Sequence, residues 1–593
     1  MTGIGIRKSG IGNRRAGAVC AILLALPAGT LVAGSPDRDE FKRTFEKTVP
    51  LRSGQKLQVE HANGKVQIRT HRDPQVSISA AIRVSSSDME GARRFSEQIQ
   101  ISVEESPSGV SVVTRYPEKK WNFAGRGFVS YSVDYDIVMP ETAPLEVRNK
   151  FGDVDVQGLK ASADVKNSNG SIQLRDGKGA QRLENSFGSI DLARNEGGAT
   201  IVNSNGSVTV ADVKGELELT NRFGSVSATR LSSRSRINNT NGSVQIQDVG
   251  GPVEIVSSFG STTARNVNGD LAARTNNGSI ETSNVQGSAE LESSFGSIRF
   301  SDVKKRVTCT GTNAKVVGVR AGETVSVRTT FGAVEISDAA GVDIENGNGK
   351  ITVRAIRGGA LLKTSFGGIE ASDVRGNVTA VNSNAGVMLT DVGGSADVRA
   401  GFGKVSLTRI KGGAKVSSEN GGVALADIGG PASVKTSFGT LEASKVRGDL
   451  TAENSNGAIK ASDIQGSVNA KTSFASVSLD GVRESVDVVN QNGAVEVGTP
   501  AGADCRRVSV RTSFAPIRVW LPEGGGYTVA ARTSFGKVTT EIPVGVSGSM
   551  GGESLSGKIG DGRCELTLTN SNGNIDLLKG SGLHLPHPAA HRP

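Results

Sequence analysis

The sequence predicts an all-β chain, a single-stranded parallel β-solenoid (β-helix) of 18-residue coils, and three observations predict it. First, a corner of Phe or Asn followed by Gly or Ala recurs from Phe151 to Asn492, with Phe and Asn alternating throughout. The series is Phe151, Asn169, Phe187, Asn205, Phe223, Asn241, Phe259, Asn277, Phe295, Asn313, Phe331, Asn348, Phe366, Asn384, Phe402, Asn420, Phe438, Asn456, Phe474 and Asn492. Second, every step is 18 residues, except one of 17 between Phe331 and Asn348. A fixed short period over so long a stretch marks a fold in which each repeat buries its apolar face only against its neighbours. Third, glycine is abundant (77 of 593 residues), aromatic residues make up 4 %, and helix-period patterns are scarce, which suits many short strands and tight corners.

In chain order, residues 1–34 read as a signal peptide. Basic Arg7, Lys8, Arg14 and Arg15 precede an apolar run from Ala16 to Ala33, and a polar start follows at Ser35. Cleavage is expected near Gly34. Cys20 stands at the front of the apolar run, away from the place of a lipoprotein cysteine, and an uncleaved anchor is the alternative. No later stretch approaches the ~20 apolar residues of a membrane span.

Residues 35–148 form an N-terminal β-rich cap, apart from a precursor corner at Asn63-Gly64. Its strands are expected at Lys65 to Ile68, Val76 to Ile82, Ile99 to Val103, Val110 to Val113 and Val129 to Val138. A short helix is expected from Asp88 to Gln98, with Ser87 as N-cap and Met89, Ala92 and Phe95 on one face. Caps are needed because an open solenoid end exposes unpaired strand edges.

Residues 149–500 are the regular solenoid. After the corner Gly206, Val208 and Val210 alternate with polar neighbours, and so do Leu217 and Leu219 after Gly215. Each coil is thus two nine-residue halves, giving a flattened two-sided coil. Coils stacked in parallel and in register at about 4.8 Å predict a rod on the order of 90 Å over this stretch. At the corners, Gly takes positive φ and Asn tolerates the left-handed region. Phe has no such backbone advantage, so its ring is expected to tuck against the end of the core. Like corners recur about 9.6 Å apart, too far for corner amides to bond one another. Two places earlier, Asn167, Asn185, Asn203, Asn221 and Asn239 recur coil after coil, later often replaced by Ser or Thr, and predict a hydrogen-bonded ladder. Residues 501–578 read as irregular C-terminal coils and a cap, with corners at Phe514, Phe535 and Asn572, and 579–593 as a disordered tail.

The chemistry in the repeats is sparse. Histidines fall only in the cap (His61, His71) and the tail (His584, His587, His591), so no coil can assemble a Ser/His/Asp or Cys/His arrangement. No catalytic, cofactor-binding or metal-binding residue is assigned. Asp176, Asp212, Asp248, Asp391, Asp427 and Asp463 hold equivalent places, and each is expected to cap the turn that follows it. Arg194, Arg230 and Arg409 hold the same place in Phe-type coils and would neutralise an acidic line. Removing the four leader charges from the formal +9 leaves +5, scattered among acidic residues, which argues against nucleic acid. Because most Phe sit in the corners, no aromatic glycan-binding face is expected along the rod. The segment Tyr116 to Tyr135, with Trp121 and Phe123, is either a contact patch or cap core. Cys309 reads as a small buried hydrophobe; Cys505 and Cys564 are either bridged across the C-terminal region or free.

Asn-Ser-Asn-Gly-Ser-Ile (167–172), Asn-Ser-Phe-Gly-Ser-Ile (185–190) and the closing Leu-Thr-Leu-Thr-Asn-Ser-Asn-Gly-Asn-Ile-Asp-Leu (566–577) resemble the bacterial "putative adhesin" β-strand-repeat family, a domain of unknown function. The resemblance covers most of the chain after the leader. It implies an exported cell-envelope β-solenoid with no catalytic residues to carry over. The expected function is that of a non-enzymatic adhesin or scaffold in the periplasm, on the outer surface or outside the cell, with an unidentified envelope, surface or glycan partner. The alternative is a polysaccharide-active β-helix lyase or hydrolase.

Overall fold

Two strands and two bends make each coil. The computed structural model describes residues 40–86, 88–117, 130–500, 504–580 and 583. Residues 1–34, where a signal peptide is expected, and Ser87, Trp121, Phe123, His584, His587 and His591 lie outside the described residues. The fold is all-β, 66 % strand with one helix among the described residues, wound into a parallel β-solenoid of about 21 turns.

Strands leading into the corners, such as Ala163–Asn169, Gln181–Phe187 and Ala199–Asn205, pair only with one another and form the leading sheet. Strands leaving the corners, such as Ile172–Gly177, Ile190–Asn195 and Val208–Val213, form the trailing sheet. Both ladders are parallel and in register, so Asn169 lies opposite Phe151 below and Phe187 above. Alternate residues face inward as the period-two pattern requires. Val208, Val210, Leu217 and Leu219 are buried, and every neighbouring coil repeats them. Cys309 is buried at such a position, and burial pushes its thiol pKa up.

At the second bend every coil from Asp176 to Asp463 holds one non-glycine residue with φ between 53° and 59°. Asp or Asn fills most of these places, the residue types that enter the left-handed region at least penalty. This corrects the expectation for the corner: Asn169 and its equivalents do not adopt positive φ, and among the glycines that follow them Gly170, Gly206 and Gly242 do. At Gly206 (φ 142°) the reason is also steric, because a Cβ would overlap the carbonyl of Gly188 one coil below. The 17-residue step has a definite location too. Ala321 pairs with Ala339 but Thr324 pairs with Gly341, so the missing residue lies at the second bend and not at the Phe/Asn corner.

Antiparallel strands close both sheets at the N-terminal end and the leading sheet at the other, where the trailing sheet stops at the parallel strand Val538–Thr540. Strand Lys56–Glu60 pairs with Leu145–Phe151, then Gly109–Arg115 and Gln100–Ser106 continue the leading sheet. Strand Val66–His71 pairs with Val154–Gln157, then Ser130–Pro140, Gln75–Ser85 and Glu40–Pro50 continue the trailing sheet. Asn63 lies opposite Phe151, which makes Asn63-Gly64 a true first corner. The helix Met89–Gln98 buries Ala92 and Phe95, whereas Met89 is exposed and Asp88 is the N-cap residue.

At the other end the chain order and the stacking order part. Strand Cys564–Asn572 pairs on one side with Val508–Phe514 and on the other with Tyr527–Thr533. Likewise Ile575–Lys579 lies between Ile517–Leu521 and Val538–Thr540. The last coil in sequence is therefore inserted beneath the one that precedes it. A Cys505–Cys564 disulfide ties this inserted strand to the approach of the coil below.

Candidate binding edge

The inserted coil completes a pattern. Phe514 pairs with Asn572, and the Phe535 amide donates to the Ser571 carbonyl at 2.8 Å, so the spatial order at this end is Asn492, Phe514, Asn572, Phe535. Along the chain two Phe corners follow each other here; along the rod, Phe and Asn still alternate. With Asn63 at the start, the alternation runs the length of the solenoid.

The corner rings do not plug the core. All twelve corner phenylalanines are exposed, from 44 % at Phe223 to 76 % at Phe535. The tucked ring was expected because Phe has no backbone advantage at a corner; strand parity agrees with it, since Leu183 and Asn185 face inward and Phe187 is two places further on. By Phe187, however, the chain has passed the narrow end of the core. Asn185 already fills that end, and Gly188 sits against the backbone of Gly170. No space remains behind the corner, so the ring projects from the edge. Together the rings display on the order of 1,000 Å² of aromatic surface. A typical monomer's largest apolar patch is about 300–600 Å². Here the surface is a dashed line, one ring wide, and not a contiguous patch.

The residues between and beside the rings are polar and mostly uncharged. Corner Asn amides reach back to backbone carbonyls of the coil below: Asn169 to Lys150 (3.2 Å), Asn384 to Ser365 (3.0 Å) and Asn456 to Ser437 (3.3 Å). Immediately before the corner residue, only Lys150, Arg222 and Glu419 place a charge; the Arg222 guanidinium lies over the Phe223 ring. After the corner glycine, Ser171, Ser189, Ser207, Ser225, Ser243, Ser261, Ser279 and Ser297 form an unbroken file.

Beneath the edge, the row of Asn167, Asn185, Asn203, Asn221 and Asn239 is buried as expected, but it is not a continuous amide ladder. Only Asn221 bonds to Asn239 side chain to side chain (3.1 Å). The others donate to corner glycine carbonyls, for example Asn185 to Gly170 at 2.9 Å and Asn203 to Gly206 at 3.0 Å. These amides hold the corners in shape rather than one another.

The acidic line is neutralised at Asp176, Asp212 and Asp391, and by a different bond from the one expected. Arg194, Arg230 and Arg409 each grip the Asp of the coil below, Asp176, Asp212 and Asp391, through two hydrogen bonds, and Arg320 grips Asp302 in the same way. The guanidinium, and not a turn amide, holds each of these carboxyls below the usual range. A surface groove of about 570 Å³ is lined by Arg236, Glu254, Asp270 and Glu290 among others. Its carboxylates are engaged: Glu254 with Arg236, Glu290 with Arg274, and Asp270 with the Ser288 amide.

In the cap, Tyr135 is buried, Tyr116 donates to the Asn63 carbonyl, and His61 packs edge-on against Tyr135. The described part of the Tyr116 to Tyr135 segment is therefore core around the first corner. No helix among the described residues is long and apolar enough to cross a membrane.

Fold and edge together define a capped parallel β-solenoid that carries a periodic aromatic edge. No protein-family model matches the chain and no curated protein matches it. Among solved structures, a putative cell adhesion protein from Clostridium sporogenes ATCC 15579 is similar over 36 % of this chain and all of its own, at 12 % identity and a TM-score of 0.18.

Proposed function

We propose that this is a non-catalytic, exported cell-envelope rod, an adhesin or scaffold, whose Phe/Asn edge is its contact surface. The observation that carries the reading is the row of twelve exposed rings. Water-exposed phenylalanine contributes little to folding and promotes association, so a repeat that keeps it at every second corner needs a use for it outside the core. Preserved alternation at the C-terminal end supports the same reading, because there it depends on an inserted strand and not on simple repetition of sequence. A polysaccharide-active enzyme is the second reading, and the groove around Glu254 and Glu290 is where its carboxylates would lie. Glycan turnover by the purified chain, lost in Glu254→Gln or Glu290→Gln, would establish the enzyme instead. Fractionation combined with protease accessibility on intact cells tests the location; a cytoplasmic chain would overturn the proposal.

A further inference from the structure

The edge has a period, a width and a charge, and each restricts what can lie on it. Like corners repeat every second coil, about 9.6 Å apart, with one Asn corner between. The line is a single side chain wide, flanked mainly by Ser, Thr, Gly and Ala with scattered charges. A globular partner gains affinity from residues enclosed at the centre of a broad interface of about 800 Å² per side. The apolar neighbours of the corner rings on the edge, such as Ala333, Ala475, Ala515 and Pro516, are too small to enclose a ring. A second copy of the rod meets the same difficulty, because pairing two such lines leaves every ring beside an Asn amide. Nucleic acids and acidic polymers call for a dense row of basic residues along the contact, and those beside the corners are scattered, Lys150, Arg222, Lys315, Lys350, Lys404 and Lys537, with none between Arg222 and Lys315.

We infer that the Phe/Asn edge binds an extended, uncharged, β-1,4-linked polysaccharide laid along the rod axis. The inference rests on the proposed role of this edge as a contact surface. In such a chain each sugar is turned over relative to the last, so the same face returns at every second sugar. One sugar advances the chain by about 5 Å, close to the rise of one coil. Every second sugar then meets a phenylalanine, whose ring offers an apolar face and no hydrogen-bonding group, suited to the C–H face of a pyranose. The sugar between meets an Asn amide, and from Ser171 to Ser297 a file of serines runs alongside to take hydroxyls. The strand inserted at Cys564–Asn572 keeps this two-coil period to the end of the stack.

The test is retention of the purified full chain by insoluble cellulose and chitin, with amylose (α-1,4-linked) and polygalacturonate (acidic) as controls. Wild type is expected on the two β-1,4 polymers and not on the controls. The variant Phe187→Ser/Phe223→Ser/Phe259→Ser/Phe295→Ser should bind at least tenfold more weakly with an unchanged unfolding midpoint. Phe223→Asn/Asn241→Phe keeps the number of rings but breaks their period, and it should lose a similar factor. Equal retention on amylose, equal binding by the period-breaking variant, or no binding to either β-1,4 polymer overturns the inference. Retention on isolated cell envelopes separates the two levels. If envelopes retain wild type but not the four-ring variant while neither polymer binds, the contact edge stands and the polysaccharide is wrong. If envelopes retain both equally, the contact edge falls as well. A wild-type dimer that becomes monomeric in the four-ring variant, again without polymer binding, would make a second copy the occupant.

Discussion

Phe259 shows half of its ring to water, so truncation there removes little buried surface. Phe259→Ala should cost less than about 1 kcal/mol, against about 2–5 kcal/mol for Leu219→Ala in the core. Denaturant unfolding of both variants checks this, and a loss of 3 kcal/mol at Phe259 would mean that the ring is buried after all. Gly206→Ala carries no such tolerance, because the residue combines φ 142° with a carbonyl where its Cβ would go. A loss of about 2 kcal/mol or more is expected, read as faster amide exchange in the coils around it. His61 supplies a pH dependence. Burial lowers its pKa from 6.5 to about 4, while its Nδ1 shares a hydrogen bond with Thr114, which is bonded in turn to Tyr135. Between those values the unfolded chain takes up a proton that the folded chain refuses, so cap stability is complete above pH 6.5 and falls as pH drops towards 4, by about 3 kcal/mol. Unfolding midpoints of wild type and His61→Gln at pH 7.5 and 4.5 test it; the variant should lose most of the difference.

The bends and the inserted coil belong to the scale of the element. One left-handed residue per coil is a fixed geometric demand, and Asp or Asn meets it in most coils. Where Arg takes the place, its two bonds to the Asp one coil below offset an unfavourable backbone. The recurring Asp and the Arg194, Arg230 and Arg409 that neutralise it were legible from the 18-residue period, but the two-bond grip in place of a turn amide was not, because it depends on how the side chain of residue n + 18 lies over that of residue n. The C-terminal coil shows the same limit. Its motif at 570–573 was evident, whereas its place between two earlier coils is a matter of strand pairing. The disulfide closes a separation of 59 residues around this insertion. Loop-closure entropy at that length is worth about 4 kcal/mol. Cys505→Ser/Cys564→Ser should therefore loosen strand Cys564–Asn572 and the strands stacked on it, seen as lost amide protection there and unchanged protection near Phe259.

At the scale of the whole molecule, about 21 turns at about 4.8 Å predict a rod of about 100 Å. Small-angle scattering should return that maximum dimension within the thickness of the caps, and a compact particle would contradict the stacking. Antiparallel strands cover both sheets at the N-terminal end and the leading sheet at the other, leaving only the three-residue strand Val538–Thr540 as a parallel edge by which identical coils could add end to end. What remains for contact is the long side, and the aromatic edge is its most regular feature.

By itself the sequence determined the coil: its length, its two faces, its glycine corners and its buried polar row. These follow from periods of 2 and 18 residues, which chain order records directly. Tertiary structure decided where the corner rings point, which residue carries the left-handed bend, and where the last coil sits. Those depend on the space left by the neighbouring coils above and below. The Phe/Asn alternation belongs to both. Chain order shows it from Phe151 to Asn492, and stacking order continues it through Phe514, Asn572 and Phe535, because register, and not sequence proximity, sets which corners are neighbours.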